Sequence, residues 1–461
     1  MDKELPKSPP HLAMEDEALE LDGSQGEGGG QILRTSVSLA AILSRAVSIT
    51  KIRSGRPKPG LAAQHLAGIN LVGEISDGSV LSGNAMQSTQ LKFQPGNVVG
   101  KRKSYFADPK TAGSITLMFQ IALPVLLHSL MAEKDGGEGV ELTLCGGTNV
   151  LASPPIEHTL FVLLPLIERM VRDSNNRPGV LKGTVQRTGW FPRGGGRVKL
   201  HISPFRDLAP LNLTSKVPIP SKIDVFISSQ QPECEWRDVL HTLRQQLESS
   251  FMLFSHTASA PLNIHVNALT LARTDEEDGD EDEAGADKAP DHRHHKKKRR
   301  KGGLTPKQRV FALSIVAHHA SSSDTTGGIL YTNHEDLSTI SWSTETEQAV
   351  EAAVCEVSEM IQSGACVDER TADQLIIYNA LALLRQKERI KEEERDMKDA
   401  AALIPRKLQV TMIIPRANRR ASSLHLSTVM DIVMSFIEGL SITIVDGHGE
   451  SKCREVRMAL E

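Results

Sequence analysis

The chain has 461 residues, a formal net charge of −4 and only 4% aromatic residues. That length suits a large core and two or three domains, the near-balance of charge confines any nucleic-acid contact to a local basic patch, and the scarcity of aromatics argues against a base-stacking platform of several rings. Five cysteines (Cys145, Cys234, Cys355, Cys366, Cys453) form no CxxC pair, which disfavours zinc and suits a reducing compartment. No apolar run reaches membrane-spanning length and the polar N-terminus is no signal peptide, so the expectation is a soluble intracellular protein with no membrane partner.

Residues 1–20 mix Pro, Lys and acids without periodicity and read as a disordered tail. From Leu21 onward apolar strands alternate with helical patterns. A β-branched strand at 47–52 precedes a helix at 61–74, which follows Pro59-Gly60. Residues 114–130 are apolar nearly all round, which predicts a buried helix with Pro124 as a kink or break. A strand at 140–145, a helix at 156–171 and a strand at 198–203 follow. The middle carries strands at 223–229 and 264–271 around a helix at 236–250, then an almost purely acidic block, 275–283, and an almost purely basic one, 292–301. Blocks of like charge read as disordered. Within the second, residues 296–301 fit a nuclear localisation cluster, a nucleic-acid-contacting arm or a merely solvated loop. The α/β pattern resumes after about 335, with helices at 349–362 and 372–384 and an exposed Lys/Glu helical extension at 385–399. An amphipathic helix at 426–437 feeds a final strand at 440–445. No exact internal repeat is visible. The alternation predicts an α/β fold of sheets layered with helices.

The chemistry gathers first at Gln25-Gly26-Glu27-Gly28-Gly29-Gly30-Gln31-Ile32-Leu33-Arg34, where four glycines surround one carboxylate and a helix pattern starts directly behind. Glycine lets backbone approach a ligand, and a helix N-terminus offers free N–H groups to an anion. Glu27 can hold a divalent cation beside that anion, and Arg34, about one turn on, can pair with phosphate. No Gly-Lys-Ser/Thr follows, and Gln31 stands where a GxGxxG motif needs its last glycine. The simpler reading is a glycine-rich turn before a helix.

This loop is one of an ordered set. Leu21-Asp22-Gly23-Ser24 precedes it. Lys51-Ile52-Arg53-Ser54-Gly55-Arg56-Pro57-Lys58-Pro59-Gly60-Leu61 with Gln64-His65, Ala112-Gly113-Ser114, Gly146-Gly147-Thr148-Asn149, Gly189-Trp190-Phe191-Pro192 with Gly194-Gly195-Gly196, and Val367-Asp368-Glu369 with Asp373-Gln374-Leu375 follow. Together they resemble the RNA 3'-terminal phosphate cyclase family, in that family's order and over most of the chain. The resemblance implies a larger domain of repeated ββαβ-like units with a smaller inserted α/β domain. On this sequence that places a discontinuous catalytic domain at 21–205 plus 331–461 and an insert at 206–330, with a disordered acidic and basic loop at 274–303. It implies an ATP-dependent conversion of RNA 3'-phosphate ends to 2',3'-cyclic phosphodiesters, through an adenylylated histidine and an RNA adenylate, with a divalent metal, Mg²⁺ or Mn²⁺. The expected compartment is the nucleus, with the cytoplasm as a second one.

Carried over residue by residue, His425 lies where the family has its nucleophile; a capping or core histidine is the alternative, and His448, between glycines after a strand, is the competitor. Glu27 takes the metal. Arg34, Arg53, Gln64 and His65 serve phosphate binding and catalysis, within a cationic group that includes Arg56 and Lys58. ATP contacts fall on Gln120, Pro154, Arg370, Asp373 and Gln374, although core satisfaction explains Gln120 equally well and helix capping explains Asp373 and Gln374. Two departures stand out. Arg370 replaces an aromatic that stacks on adenine, and the Lys/Glu stretch within 384–418 lengthens the path to His425. The second functional reading is a catalytically silent cyclase-like protein of pre-ribosomal RNA processing, a branch that lacks the glutamate-glycine loop and the nucleophilic histidine. Enolpyruvyl transferases share a related architecture, but their substrate-binding arginine and lysine pattern is not found here.

Overall fold

The computed structural model describes residues 18–98, 102–131, 139–172, 180–192, 194–214, 220, 222–229, 241, 245–246, 249, 263–269, 311–318, 329–336, 344–396, 408–415, 420–446 and 453–461. It is a mixed α/β protein, as the alternation of patterns predicts.

Three segments share one order of elements: strand, helix, strand, helix, strand, strand. In the first, Leu19–Asp22 leads through α1 (Gly30–Ile42) to Val47–Thr50, and then through α2 (Ala63–Ile75) to Val80–Ser82 and Leu91–Gln94. The first strand pairs with the second, the second with the fourth and the fourth with the third; only the first pair is parallel. The second segment repeats this order with Ser104–Ala107, α3 (Ile115–Leu130), Val140–Gly146, a helix in three parts (Ile156–His158, the π-helical Thr159–Leu163, Leu164–Met170), Leu181–Arg187 and Gly196–Ile202. Each of these two segments also carries a two-stranded clasp, Ser76–Asp77 with Asn97–Val98 and Val171–Arg172 with Asp207–Leu208. In the third, Cys366 and Val367 donate backbone hydrogen bonds to Ile413 in place of a full first strand. The Glu369–Asp396 helix, Leu408–Pro415, the Arg420–Phe436 helix, Leu440–Asp446 and Cys453–Leu460 complete the order.

The helices interlock between segments. α2 packs on α3, the three-part helix meets the Glu369–Asp396 helix, and the Arg420–Phe436 helix packs on α1. Each segment thus lends its second helix to the first helix of the next, and the last returns to the beginning. α1 is therefore enclosed, and Gln31 through Ile42 are all buried. A helix so enclosed has no solvated stripe, which explains why its small and apolar residues run all round. Ser114 caps α3 by accepting from the Leu117 N–H at 3.3 Å, and the helix runs through Pro124 without interruption.

Between the second and third segments lies a different sheet, ordered Asn263–Leu269, Lys222–Ser229, Phe311–His318, Ile329–Asp336. Here the third strand pairs with the first rather than extending the second. The Thr344–Ser363 helix packs on it, and Phe226 stacks on Phe161 of the second segment with ring centroids 4.1 Å apart.

Several sequence expectations shift. Leu19 and Glu20 belong to the first strand, not to a tail. As far as it is described, to Asp396, the expected extension continues the helix from Glu369 without a break and is tied down by Arg389 to Asp207 at 2.8 Å and by Lys387 to the Glu461 carbonyl. The helix bearing His425 starts at Arg420, and Leu440–Asp446 is followed by a further strand, Cys453–Leu460. Most of the helix expected at 236–250, the charged blocks, the basic run 296–301 and His448 lie outside the described residues. Among the described residues no helix is long and apolar enough to cross a membrane.

Candidate functional site

The glycine loop enters α1 where the Arg420–Phe436 helix arrives. Gly26 and Gly28 have φ of 57° and 59°, a left-handed conformation that L side chains rarely adopt. Space forbids a side chain as well: a Cβ on Gly26 would strike Thr428, and one on Gly30 would lie 2.5 Å from His65 Nε2 and 2.7 Å from Arg34 Nη1. Gly29, the residue before α1, offers no side-chain cap, so the first turn of α1 keeps N–H groups for another acceptor.

Glu27 is held from three sides. Its N–H donates to Thr428 Oγ1 at 3.0 Å, its Oε1 accepts from Arg56 Nη2 at 2.8 Å, and its Oε2 lies 3.2 Å from His425 Nδ1. That last approach is not aligned as a hydrogen bond, which leaves Oε2 buried without one. His425 therefore presents Nδ1 to the carboxylate and leaves Nε2 for another group. Burial lowers the His425 pKa first of all, with Arg34, Arg56 and Arg370 adding to the effect and Glu27 opposing it. The imidazole is neutral near pH 7. With the helix starting at Arg420, His425 stands in its second turn. Burial and nearby guanidinium groups, rather than the helix terminus, thus keep the ring neutral.

Arg34 is buried and pairs with Gln31 Oε1, while its Nε has no partner. Burial lowers its pKa to about 10, still far above neutrality. His65 accepts the Ala62 N–H at Nδ1, 3.2 Å away, which fixes the neutral tautomer with the proton on Nε2, toward Gly30. Burial and the charges of Arg34 and Arg53 bring its pKa to about 3. His65 is thus a neutral donor facing the glycine loop. Gln64 points away, its Oε1 accepting the Ser114 N–H at 2.8 Å. Arg53 adopts φ 52° and donates to the Gly60 carbonyl at 2.7 Å, fixing the turn that carries Arg56.

A cleft beside this group is lined by Arg34, Gln120, Asp373, Gln374 and Tyr378, with Gln31, Thr35, Leu163, Ile377 and Val429 completing its wall. Four carried-over residues from three distant parts of the chain thus meet there. Asp373 is held well above the usual carboxylate range, mainly by burial and against the pull of Arg34. Gln374 Nε2 donates to the Arg370 carbonyl at 3.0 Å. Arg370 is exposed and outside the cleft lining; Pro154 also lies outside the lining, and its carbonyl accepts from Thr116 Oγ1 at 2.7 Å. Thr428 was not singled out from the sequence. Its place three residues after His425, on one helix face, is the signal that would have found it.

Glu27 Oε2, Arg34 Nε and Gln120 Oε1 are buried polar atoms without hydrogen bonds. Each such atom costs about 1–3 kcal/mol unless a ligand satisfies it. A carboxylate, a guanidinium and a carboxamide suit a ligand with phosphate, a cation and ring nitrogens. Among the described residues no three His, Cys, Asp or Glu side chains cluster as a metal site, so a cation here would rest on Glu27 and on phosphate oxygens.

The family model described as RNA 3'-terminal phosphate cyclase matches residues 25–437. A relative named RNA 3'-terminal phosphate cyclase from Trichormus variabilis is 32% identical over 392 residues, covering 84% of this chain and 93% of its own. Relatives of the same name from Drosophila melanogaster and Archaeoglobus fulgidus are 41% and 43% identical over 190 and 186 residues, covering 41% and 40% of this chain. The matched parts span about half of those two proteins, 48% and 52%.

Proposed function

The chain belongs to the RNA 3'-terminal phosphate cyclase family, and from that premise we propose that it converts RNA 3'-phosphate ends to 2',3'-cyclic phosphodiesters at the expense of ATP. The observation that carries the reading is the convergence of Glu27, Arg56 and neutral His425 at the uncapped start of α1.

In this reading His425 Nε2 attacks the α-phosphorus of ATP, a P–N bond forms and diphosphate leaves. The RNA 3'-phosphate then takes the adenylyl group, freeing the histidine. The neighbouring 2'-hydroxyl closes the ring, giving up its proton and expelling AMP. Covalent catalysis splits one difficult dehydration into displacements with good leaving groups. Glu27 orients His425 through Nδ1. The α1 N–H groups, Arg34 and the Nε2–H of His65 stabilise charge on the phosphates. A divalent ion, Mg²⁺ or Mn²⁺, would rest on Glu27 and neutralise phosphate charge. Gln120, Asp373 and Gln374 would hold the nucleotide, with Arg370 and Pro154 at the margin. A nuclear address rests on residues 296–301 alone. The silent, structural reading gains nothing from a site in which the nucleophile, the carboxylate and the cations meet.

Incubation with α-labelled ATP and Mg²⁺, followed by a denaturing gel, tests the proposal. The expected product is protein carrying an acid-labile, base-stable label that RNA 3'-phosphate discharges. Absence of any such label would remove the adenylylation route.

A further inference from the structure

Among the three repeated sheets one outward face differs in charge. In the first sheet Lys92 shares a row with Glu20, and in the third Arg457 pairs with Glu455 at 2.6 Å. The second sheet turns Lys182, Arg187, Arg197, Lys199 and His201 outward, and Glu141 is the single carboxylate within its four strands. Glu141 pairs with Lys199 at 2.9 Å, and Asp108, just past the first strand, pairs with Lys110 at 2.9 Å, so Lys182, Arg187 and Arg197 have no acidic counterpart within the strands. Phe106 shares a row with Thr143, Lys199 and Thr184, is 52% exposed, and has the Arg197 guanidinium 6.0 Å from its ring centre. An aromatic on a half-wet sheet normally lies inward; one that lies outward among cations presents a face to a flat partner.

This face leads to the site through consecutive contacts. At the end of the sheet the chain turns through Gly189-Trp190-Phe191, with Phe191 62% exposed. The Thr148 N–H donates to the Gly189 carbonyl at 2.7 Å, the Gly147 N–H to the Gly113 carbonyl at 2.8 Å, and the Ser114 N–H to Gln64 Oε1 at 2.8 Å. Gln64 adjoins His65, whose Nε2 faces the glycine loop.

We propose that the outward face of the second sheet, from Lys182 and His201 through Phe106 and Arg197 to Phe191, carries the single-stranded RNA whose 3' end enters the site. The cations track the phosphates and Phe106 stacks on one base, a sequence-tolerant mode that needs a single ring. The inference rests on the cyclase reading for the identity of the ligand.

The test uses the full chain and two probes: a fluorescent 20-mer RNA ending in a 3'-hydroxyl, which cannot react, and a 3'-phosphorylated trinucleotide, shorter than the roughly 4–16 nucleotides that such grooves span. Phe106→Ala and Arg197→Ala should each weaken binding of the 20-mer by about five- to tenfold, within the range for loss of a stacked base. Arg187→Ala with Lys182→Ala should make the slope of log affinity against log salt shallower by about 0.7 per lost phosphate contact. Arg197→Lys, which keeps the charge, should keep the salt slope of the parent. The KM of the trinucleotide should move less than twofold, so the loss grows with length. A 20-mer bound as tightly by the variants as by the parent overturns the proposal and leaves the face to an acidic protein partner. Equal weakening of long and short RNA overturns it too. Labelling by ATP needs no RNA: absent label with length-dependent binding intact would remove the cyclase chemistry and keep this surface.

Discussion

Two helix junctions of this molecule each bring a histidine to the start of the next segment's first helix, with opposite results. His158 meets the Glu369–Asp396 helix, its Nε2 3.0 Å from Thr371 Oγ1. Thr371 in turn gives its N–H and its hydroxyl to Asp368, 3.0 and 2.5 Å away, which caps the helix. Nothing there is exposed: His158 and Thr371 have 0% of their surface accessible. His425 meets α1, but the residues before α1 are glycines, and 38% of its side chain remains accessible. Burial lowers both histidine pKa values and both rings are neutral at pH 7. The difference lies in the helix start. A side-chain cap takes up an orphan N–H group, whereas glycines leave these groups to a ligand.

The largest expected effect separates the two directly. His425→Ala should abolish labelling by α-labelled ATP while thermal melting stays near that of the parent, because no second nucleophile stands ready. His158→Ala should do the reverse. It should keep the label but lose about 2–4 kcal/mol of stability in chemical denaturation, from a cavity and from the lost buried hydrogen bond to Thr371. Labelled His425→Ala protein, or unlabelled but stable His158→Ala protein, would break the comparison.

Next in size is Glu27→Gln, which keeps shape and removes charge. The metal concentration for half-maximal labelling should rise about tenfold. A metal titration identical to that of the parent would reduce Glu27 to an orienting residue.

The pH dependence sharpens the contrast. Labelling requires neutral His425, whose pKa lies below its ordinary 6.5, so the rate should be flat from pH 7 to 8 and fall only on the acid side of 6.5. Arg56→Ala removes one of the charges that lower it and frees Glu27, which raises it. The acid limb should therefore move to higher pH. His158 enters only through stability. Its pKa of about 3 in the folded protein against 6.5 in the unfolded chain means that protons favour unfolding. Its contribution is complete above 6.5 and is lost as pH falls toward 3, by at most about 1.4 kcal/mol per pH unit. His158→Ala should flatten stability in that window and leave the acid limb of labelling in place.

The smallest effect concerns Arg370. Arg370→Tyr should tighten ATP binding by roughly 1 kcal/mol or less if adenine lies against this side chain, since the arginine plane already supplies part of the stacking. Arg370→Ala should weaken ATP more than RNA, measured by calorimetry. Equal losses would turn Arg370 toward phosphate.

Much of this was legible in the residues. The glycine loop announces the start of a helix, and the apolar run of α3 announces an enclosed one. The repetition was implied only by the family resemblance and not by the residues themselves, because it is carried by the order of strands and helices and by which faces are apolar, not by shared residues. The start of the His425 helix was missed because Arg419-Arg420-Ala421-Ser422-Ser423 shows no apolar period. His158 passed unnoticed for a physical reason: a buried histidine bonded to a threonine 213 positions away has no glycine or basic neighbours in the sequence to mark it.

The return of the Arg420–Phe436 helix onto α1 places Thr428 against Glu27 across 401 positions of sequence. During synthesis the glycine loop leaves the ribosome early and waits for nearly the whole chain before it acquires a partner. On the cyclase reading the site is complete only once the Arg420–Phe436 helix has docked on α1, so a chain ending before Arg420 should take no label from ATP.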